Sequence, residues 1–408
     1  MANALAKDLE LMFETAVSEY DAACVISREA ETSYPDPQAM QRAGDTFYKK
    51  QSYNATVTTG MDISLATPTD VIERFVPTVY RSPDNVLYYL DAKEMRDPDH
   101  KARMGRAAAL KLAATIDANL YSTVASRAAI VVKSTTALSW DNVATAEALM
   151  LSRGIGAGER RKVFMNPFDY LAVSSNLAGR AYLGDINKSA YERSQVPDIA
   201  GFATFRTDNV ANLTTVGTVT SITVSGAQSH TVTAMTGDLP TDNRQMSFTA
   251  AGANAANVNV GDCFTIPGVN AVHNIDKSDT GQLMTFRVLA KASATSWTIS
   301  PAIIASGPYQ NVTAAAAGGA TLAFLNTATK PVNAFWAQGA VTLDYGNLAF
   351  PSGEGPQVMR ATTKNGVPIV MSYSFNHLTA KTSVRFTTLY ATTVIDPEKC
   401  GIILANQV

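Results

Sequence analysis

Four histidines, three cysteines and a scatter of carboxylates are the residues of this 408-residue chain that could do chemistry. His100, His230, His273 and His377 lie far apart. None has a partner at HxxxH or HExxH spacing, which a helix needs to turn two side chains toward one metal. Cys24, Cys263 and Cys400 form no CxxC pair and no even-numbered framework. They read as free thiols of a reducing compartment, not as a zinc site or a disulfide scaffold. Gly154-Ile155-Gly156-Ala157-Gly158 lacks the Lys-Ser/Thr ending of a phosphate loop and follows a helix-like run instead of a strand. It reads as a helix-ending loop, with Glu159-Arg160-Arg161-Lys162 as its solvated edge. Asp97 and Asp99 are explained by the start of a helix. Asp276 and Asp279 flank Lys277 in what reads as a hydrated turn, and no acidic ladder ending in Glu is present. A catalytic set gathered from distant positions leaves no spacing to read. The sequence therefore predicts no enzyme, no metal and no cofactor.

Composition points the same way. Hydrophobic residues make up 46% of the chain and charged residues 17%, against about 25% charged in an average soluble protein. A low charge density suits a surface hidden against partners, and equally a β-rich domain. The formal net charge of −2 argues against a dedicated nucleic-acid binder. The N-terminus, interrupted by Lys7, Asp8, Glu10 and Glu14, predicts no signal peptide. No stretch of about 18 apolar residues predicts a membrane span. The length predicts two or three domains.

The elements that must position these residues can be read from periodicity. Leu5, Leu9, Met12, Phe13, Ala16, Val17, Tyr20 and Cys24 recur at three- and four-residue spacing, so the first 28 residues predict an amphipathic helix. It must dock on its own body or on a neighbour, because Tyr34-Pro35-Asp36-Pro37 breaks the chain after it. Residues 44–82 are rich in strand formers, including Tyr48, Tyr53, Val57 and Ile63, with Gly60 as a turn. They predict a long two-stranded arm that needs a partner surface. Asp97-Pro98 predicts the cap and first position of a helix running to about Ser126. Met104, Ala108, Leu112, Ile116 and Leu120 form its apolar stripe, and its length is on the order of 40 Å. Trp140–Leu151 predicts a helix, Lys162–Met165 a strand, and Asn166-Pro167 the start of another helix to Leu177.

At residue 221 the composition changes. Residues 221–331 hold five basic and five acidic residues among 111, and Thr, Ser, Val, Ala and Gly dominate. Short strands at 222–224, 247–249, 263–266, 284–289 and 296–299 predict a small β-barrel or sandwich inserted into the host fold. Ala314–Ala320 is a low-complexity patch expected to be a flexible loop.

The order of helix, extended arm, long helix and mixed α/β region resembles the tailed-phage coat fold of the Hong Kong 97 type. Val163-Phe164-Met165-Asn166-Pro167-Phe168-Asp169-Tyr170 is similar to a recurrent element of those proteins. The resemblance sharpens to coat proteins of short-tailed phages of the P-twenty-two type. It is carried by Met40-Gln41-Arg42, the 97–126 helix, Ala190-Tyr191-Glu192-Arg193, Ala200-Gly201-Phe202, residues 222–229, Asp242-Asn243-Arg244, Gly261-Asp262 and Asn333-Ala334-Phe335-Trp336-Ala337, in collinear order.

The resemblance implies an α+β fold with an N-terminal arm, an extended hairpin loop, a spine helix and an inserted all-β barrel. The implied division is 1–34, 35–90, 91–220, 221–331 and 332–408. It implies a coat protein that assembles with itself, as pentamers and hexamers, into an icosahedral shell. The shell encloses double-stranded DNA without sequence-specific or membrane binding, with a scaffolding protein and a portal protein as partners. Assembly in the host cytoplasm and residence in the virion follow. Candidate contacts with neighbours or scaffold are Leu9, Phe13 and Tyr20 on the first helix and Tyr48, Lys49, Lys50 and Tyr53 on the arm. In the insert they are Asp238, Asp242 and Arg244. The family's charged insert loop is shortened here, with Asp238 the one charge between Ser229 and Asp242. Two other classes fit parts of the pattern: a cellular nanocompartment shell of the same fold, and an enzyme with a β-rich accessory module.

Overall fold

The structure is a computed structural model. It describes residues 4–33, 46–55, 57, 60–62, 64, 71–91, 93–156, 158–179, 194, 196–209, 211–217, 219, 221–348 and 357–407. Tyr34-Pro35-Asp36-Pro37, Met40-Gln41-Arg42, Ile63 and Ala190-Tyr191-Glu192-Arg193 lie outside the described residues. The chain forms two compact units. One comprises Met1–Phe47, Thr78–Tyr121 and Thr342–Thr393; the other comprises Tyr48–Pro77, Ser122–Val341 and Val394–Val408. Both are mixed α and β.

The first unit is built on helix α1 (Ala4–Ala23) and on helix α2 (Pro98–Arg127) as far as Tyr121. A three-stranded sheet orders β1 (Glu31–Ser33), β18 (Val341–Tyr345) and β22 (Tyr390–Val394). A four-stranded antiparallel sheet orders β19 (Gln357–Thr362), β20 (Pro368–Asn376), β21 (Lys381–Thr388) and β4 (Asp84–Asp91). The predicted apolar faces meet here: Leu9, Met12, Phe13, Ala16 and Tyr20 of α1 share one core with Ala108, Leu112 and Ile116 of α2. The inner sheet face adds Leu90, Met371, Val384 and Phe386. The expected cap of α2 is present, with the Asp99 amide donating to Asp97 Oδ1 at 3.0 Å.

Two features bring α1 against α2. A side chain at Gly105 would collide with the carbonyl oxygen of Met12, so glycine permits a close backbone approach. Beyond the end of α1, the Asp117 carboxylate accepts the amides of Val25, Ile26 and Ser27 at 2.9, 3.1 and 2.8 Å. These donors would otherwise be left unpaired where the chain turns. The ion pair of Arg106 with Glu19 lies on the outer side of the same contact.

The second unit holds two large sheets. In the first, β5 (Ile130–Lys133), β23 (Cys400–Leu404), β17 (Lys330–Ala337), β6 (Arg161–Met165) and β7 (Phe202–Arg206) lie in that order, with β8 (Asn212–Leu213) pairing β17. Helices α3 (Trp140–Ser152) and α4 (Pro167–Ala178) bury Val143, Met150, Val173 and Leu177 in the same core as Val163, Phe335 and Ile403. Asn166 caps α4 as predicted, accepting from the amides of Phe168 and Asp169 at 3.0 and 2.9 Å. The Glu159–Lys162 segment departs from the expected solvated edge. Arg161 is buried, with Nη2 donating to the Ile155 and Gly156 carbonyls at 3.0 and 2.9 Å and Nη1 reaching Glu147 at 3.2 Å. The loop's own carbonyls draw the guanidinium inward.

The second sheet spans the low-charge region. Its order is β16 (Ala323–Phe324), β13 (Cys263–Val272), β14 (Asp279–Lys291), β15 (Ser296–Ser300), β12 (Met246–Ala251) and β9 (Thr223–Val224). Alternate residues Phe248, Phe264, Phe286 and Trp297 form its core. The Val224 amide donates to the Ala320 carbonyl and the Leu322 amide to the Ile222 carbonyl, both at 2.9 Å. The Ala314–Ala320 patch is therefore a loop tied to this sheet by backbone hydrogen bonds, not the free loop its composition predicts. Ala316 is buried and exchanges two backbone hydrogen bonds with Gln228. A Cβ at Gly318 would lie 3.0 Å from the Gly226 backbone. Small residues are needed because two backbones touch.

Candidate assembly surfaces

The arm rises from a ladder of β2 (Thr46–Lys50) and β3 (Phe75–Val79), extended by the Gln51 amide donating to the Arg74 carbonyl at 3.0 Å. Val76, Thr78 and Tyr80 are buried in alternation, and Val79 points out. Tyr48, Lys50 and Tyr53 are exposed and Lys49 is half-buried. The arm's polar contacts converge on Glu73: Tyr53 Oη donates to it at 2.7 Å and Lys50 Nζ at 3.1 Å. The Tyr53 hydroxyl first, and Lys50 next, hold the Glu73 carboxyl below its usual range. Val57, Met61 and Val71 stand more than two-thirds exposed, so the described part of the arm carries no apolar core of its own.

The candidates on α1 sit differently. Leu9, Phe13 and Tyr20 are buried in the first unit's core, which leaves Glu10, Glu14 and Val17 on the rim of an open groove of about 980 Å³. Met359, Arg360, Ala361 and Lys364 line its other bank.

In the insert, β10 (Met235–Thr236) and β11 (Leu239–Pro240) form a hairpin that turns through Gly237, with φ +63°, and Asp238. Met235, Asp238 and Leu239 are exposed. Asp242 and Arg244 are not. They form a two-pronged pair, Nε to Oδ1 at 2.8 Å and Nη2 to Oδ2 at 2.7 Å, and Arg244 Nη1 donates to the Val394 carbonyl. Their charges are satisfied inside the subunit, and Asp238 is left exposed at the hairpin tip.

One surface was not singled out from the sequence. Leu87 and Tyr89 of β4 are exposed, as are Phe375 of β20 and Leu378 beside it, while Leu90, Met371 and Val384 face the core. The signal was available: Val86-Leu87-Tyr88-Tyr89-Leu90 is apolar on both faces, the mark of a strand covered from both sides.

The three cysteines are free and buried. Burial pushes the Cys24 and Cys263 thiols up to about 11, and that of Cys400 higher still. Among the described residues no three His, Cys, Asp or Glu side chains are grouped to hold a metal ion. No described helix is long and apolar enough to cross a membrane.

Comparison with known proteins gives these surfaces their context. Residues 1–405 match the family model described as P22 coat protein, gene protein 5. Among solved structures, the chain is similar to one from Mycobacterium phage Che8, with 8% identity, 90% of this chain and 88% of that chain covered, and a TM-score of 0.44. It is similar to the asymmetric unit of the bacteriophage PhiM1 mature capsid, with 8% identity, 93% and 87% covered, and a TM-score of 0.46. It is also 44% identical to the CUS-3 coat protein I-domain over 27% of this chain and 99% of that one, with a TM-score of 0.23. The match over nearly the whole sequence decides between the classes left open by the residues and favours neither the nanocompartment shell nor the enzyme. The chain belongs to the P22 coat protein family and is a phage major capsid protein, a structural component of the virion that assembles with copies of itself.

Proposed function

We propose that this protein builds an icosahedral procapsid of pentamers and hexamers with a scaffolding protein, in the host cytoplasm. The shell then becomes the mature head around double-stranded DNA, with a portal protein at one vertex. In this reading the subunit has the Hong Kong 97 fold, divided at 1–34, 35–90, 91–220, 221–331 and 332–408. The 221–331 segment is an inserted barrel. The hydrogen bonds between β9 and residues 320–322 support closure of its sheet, which removes the exposed edges of an open one.

The observation that carries the proposal is an arm whose outward side chains have no core to fold onto. Tyr48, Lys49, Lys50 and Tyr53 are its contacts to a neighbour, and Asp238 with Met235 and Leu239 is the insert's. Leu9, Phe13 and Tyr20 act indirectly, by holding α1 so that its groove side meets the scaffold. An interface repeated around a ring can be weak and still give a durable shell, because contacts made by one chain to several neighbours reinforce one another. A near-neutral wall suits a container that encloses DNA without binding its sequence.

Electron microscopy of the chain co-expressed with its scaffolding protein tests this. Closed shells of uniform diameter are expected. Solitary subunits in the presence of scaffold would overturn the proposal.

A further inference from the structure

The arm cannot set its own direction. A two-stranded ladder is marginally stable by itself, and the described residues of this one have no apolar cluster beyond its root. Something outside the arm must hold it, and at its root Ile72 and Arg74 both meet Tyr309, in one loop of the inserted region.

The Arg74 guanidinium lies over the Tyr309 ring at 4.1 Å. The Tyr309 hydroxyl donates to the Ile72 carbonyl at 2.8 Å. From the other side of the stack, Arg74 Nη2 donates to the Ser52 carbonyl at 3.1 Å. One tyrosine thus grips the outgoing strand through Ser52 and the returning strand through Ile72 and Arg74. Tyr309 is itself fixed. It is buried among the insert's core residues, and neighbouring Asn311 donates to Glu398 at 2.7 Å. Two lesser ties flank the clamp. Asn54 donates to Asn274 Oδ1 at 3.0 Å, and Gln51 Nε2 donates to the Ile395 carbonyl and Asp396 Oδ1 at 2.6 and 2.9 Å. These residues enclose a small polar cavity of about 110 Å³.

We infer that Tyr309 is a positioning residue for assembly: through Arg74 it makes the inserted region, and not the arm's own strand pairing, fix the direction in which the arm leaves the subunit. The inference rests on the reading that residues 48–77 reach a neighbour. It makes the inserted region the anchor that sets the arm's angle and with it the curvature of the shell.

Hydrogen exchange on the unassembled full-length chain tests the clamp without reference to assembly. Losing a stacked cation and a hydrogen bond is expected to speed exchange at Gln51 and across 71–76 by about 10- to 100-fold in Tyr309→Ala. Tyr309→Phe, which keeps the ring, is expected to give a smaller rise. Because Tyr309 also packs in the insert's core, Arg74→Met is the deciding variant. It is expected to loosen the arm while the amides of Ala250 and Val288 exchange at wild-type rates. Unchanged arm exchange in Arg74→Met would overturn the clamp, as would an equal rise in the insert's core. Co-assembly of Arg74→Met with scaffold then tests the consequence, with a broadened distribution of shell diameters expected. Wild-type shells from a subunit with a loosened arm would leave the clamp standing and overturn its role in assembly.

Discussion

Asp117 offers the sharpest test of how this subunit is held together. Its carboxylate is buried in α2 and receives three backbone amides from the turn after α1, at 2.9, 3.1 and 2.8 Å. A hydrogen bond to a charged group contributes about 1.5–3 kcal/mol, and an orphaned buried donor costs about 1–3 kcal/mol. Three bonds to one carboxylate do not add independently. Asp117→Ala should therefore cost about 4 kcal/mol, a large share of the roughly 5–15 kcal/mol that stabilises a typical domain. Asp117→Asn keeps one acceptor oxygen but aims an N–H at the remaining amide, and should cost about half as much. The direct assay is hydrogen exchange at Val25, Ile26 and Ser27 in the unassembled chain. About 4 kcal/mol corresponds to an acceleration of roughly a thousandfold in Asp117→Ala. Exchange within tenfold of wild type would refute the reasoning, and so would an Asp117→Asn protein that opens as readily as Asp117→Ala.

Further outcomes follow from the same packing. Gly105→Ala improves helix propensity by about 1 kcal/mol, yet should lower stability by about 1–3 kcal/mol in urea unfolding, because the new Cβ meets the Met12 backbone; a stabilised variant would contradict the close approach. Leu112→Asp buries an unpaired charge in the α1–α2 core and should abolish soluble expression, and a soluble, assembling variant would show that this stripe is not a core. Burial, the largest cause, raises the Asp396 carboxyl above its ordinary value. The native state then holds the proton more tightly than the unfolded chain, so stability should fall as pH rises from about 4 through the raised native value. Asp396→Asn should flatten that slope, and an unchanged slope would remove Asp396 as its source. The thiols of Cys24, Cys263 and Cys400 should resist maleimide at neutral pH until the chain is unfolded in urea; rapid labelling of any in the native subunit would contradict their burial.

Much of this protein is written in local sequence. The 3.6-residue stripes of α1 and α2 gave both helices and their buried faces, since a helix that must hide apolar residues repeats them at that spacing. Asn166-Pro167 and Asp97-Pro98 marked helix starts because capping needs only neighbouring atoms. The drop in charge at 221 marked the edge of a sheet-rich segment, since threonine, valine and small residues suit a pleated surface whatever they pack on. Collinear short blocks carried the family.

Tertiary structure alone decided the rest. Composition made Ala314–Ala320 look like slack chain, but its small side chains let one backbone lie on another, a requirement set by distant residues such as Gly226 and Gln228. Charge made Glu159–Lys162 look solvated, until the carbonyls of its own loop took Arg161 inward. Asp242 and Arg244 were candidates for a neighbour, and the fold gave Arg244 a carbonyl 150 residues distant. Gln51, Arg74, Tyr309 and Asp396 have no sequence pattern to announce them, because what joins them is position in space. Periodicity and capping are local and survive in the sequence, whereas partners brought together by folding leave no spacing to read.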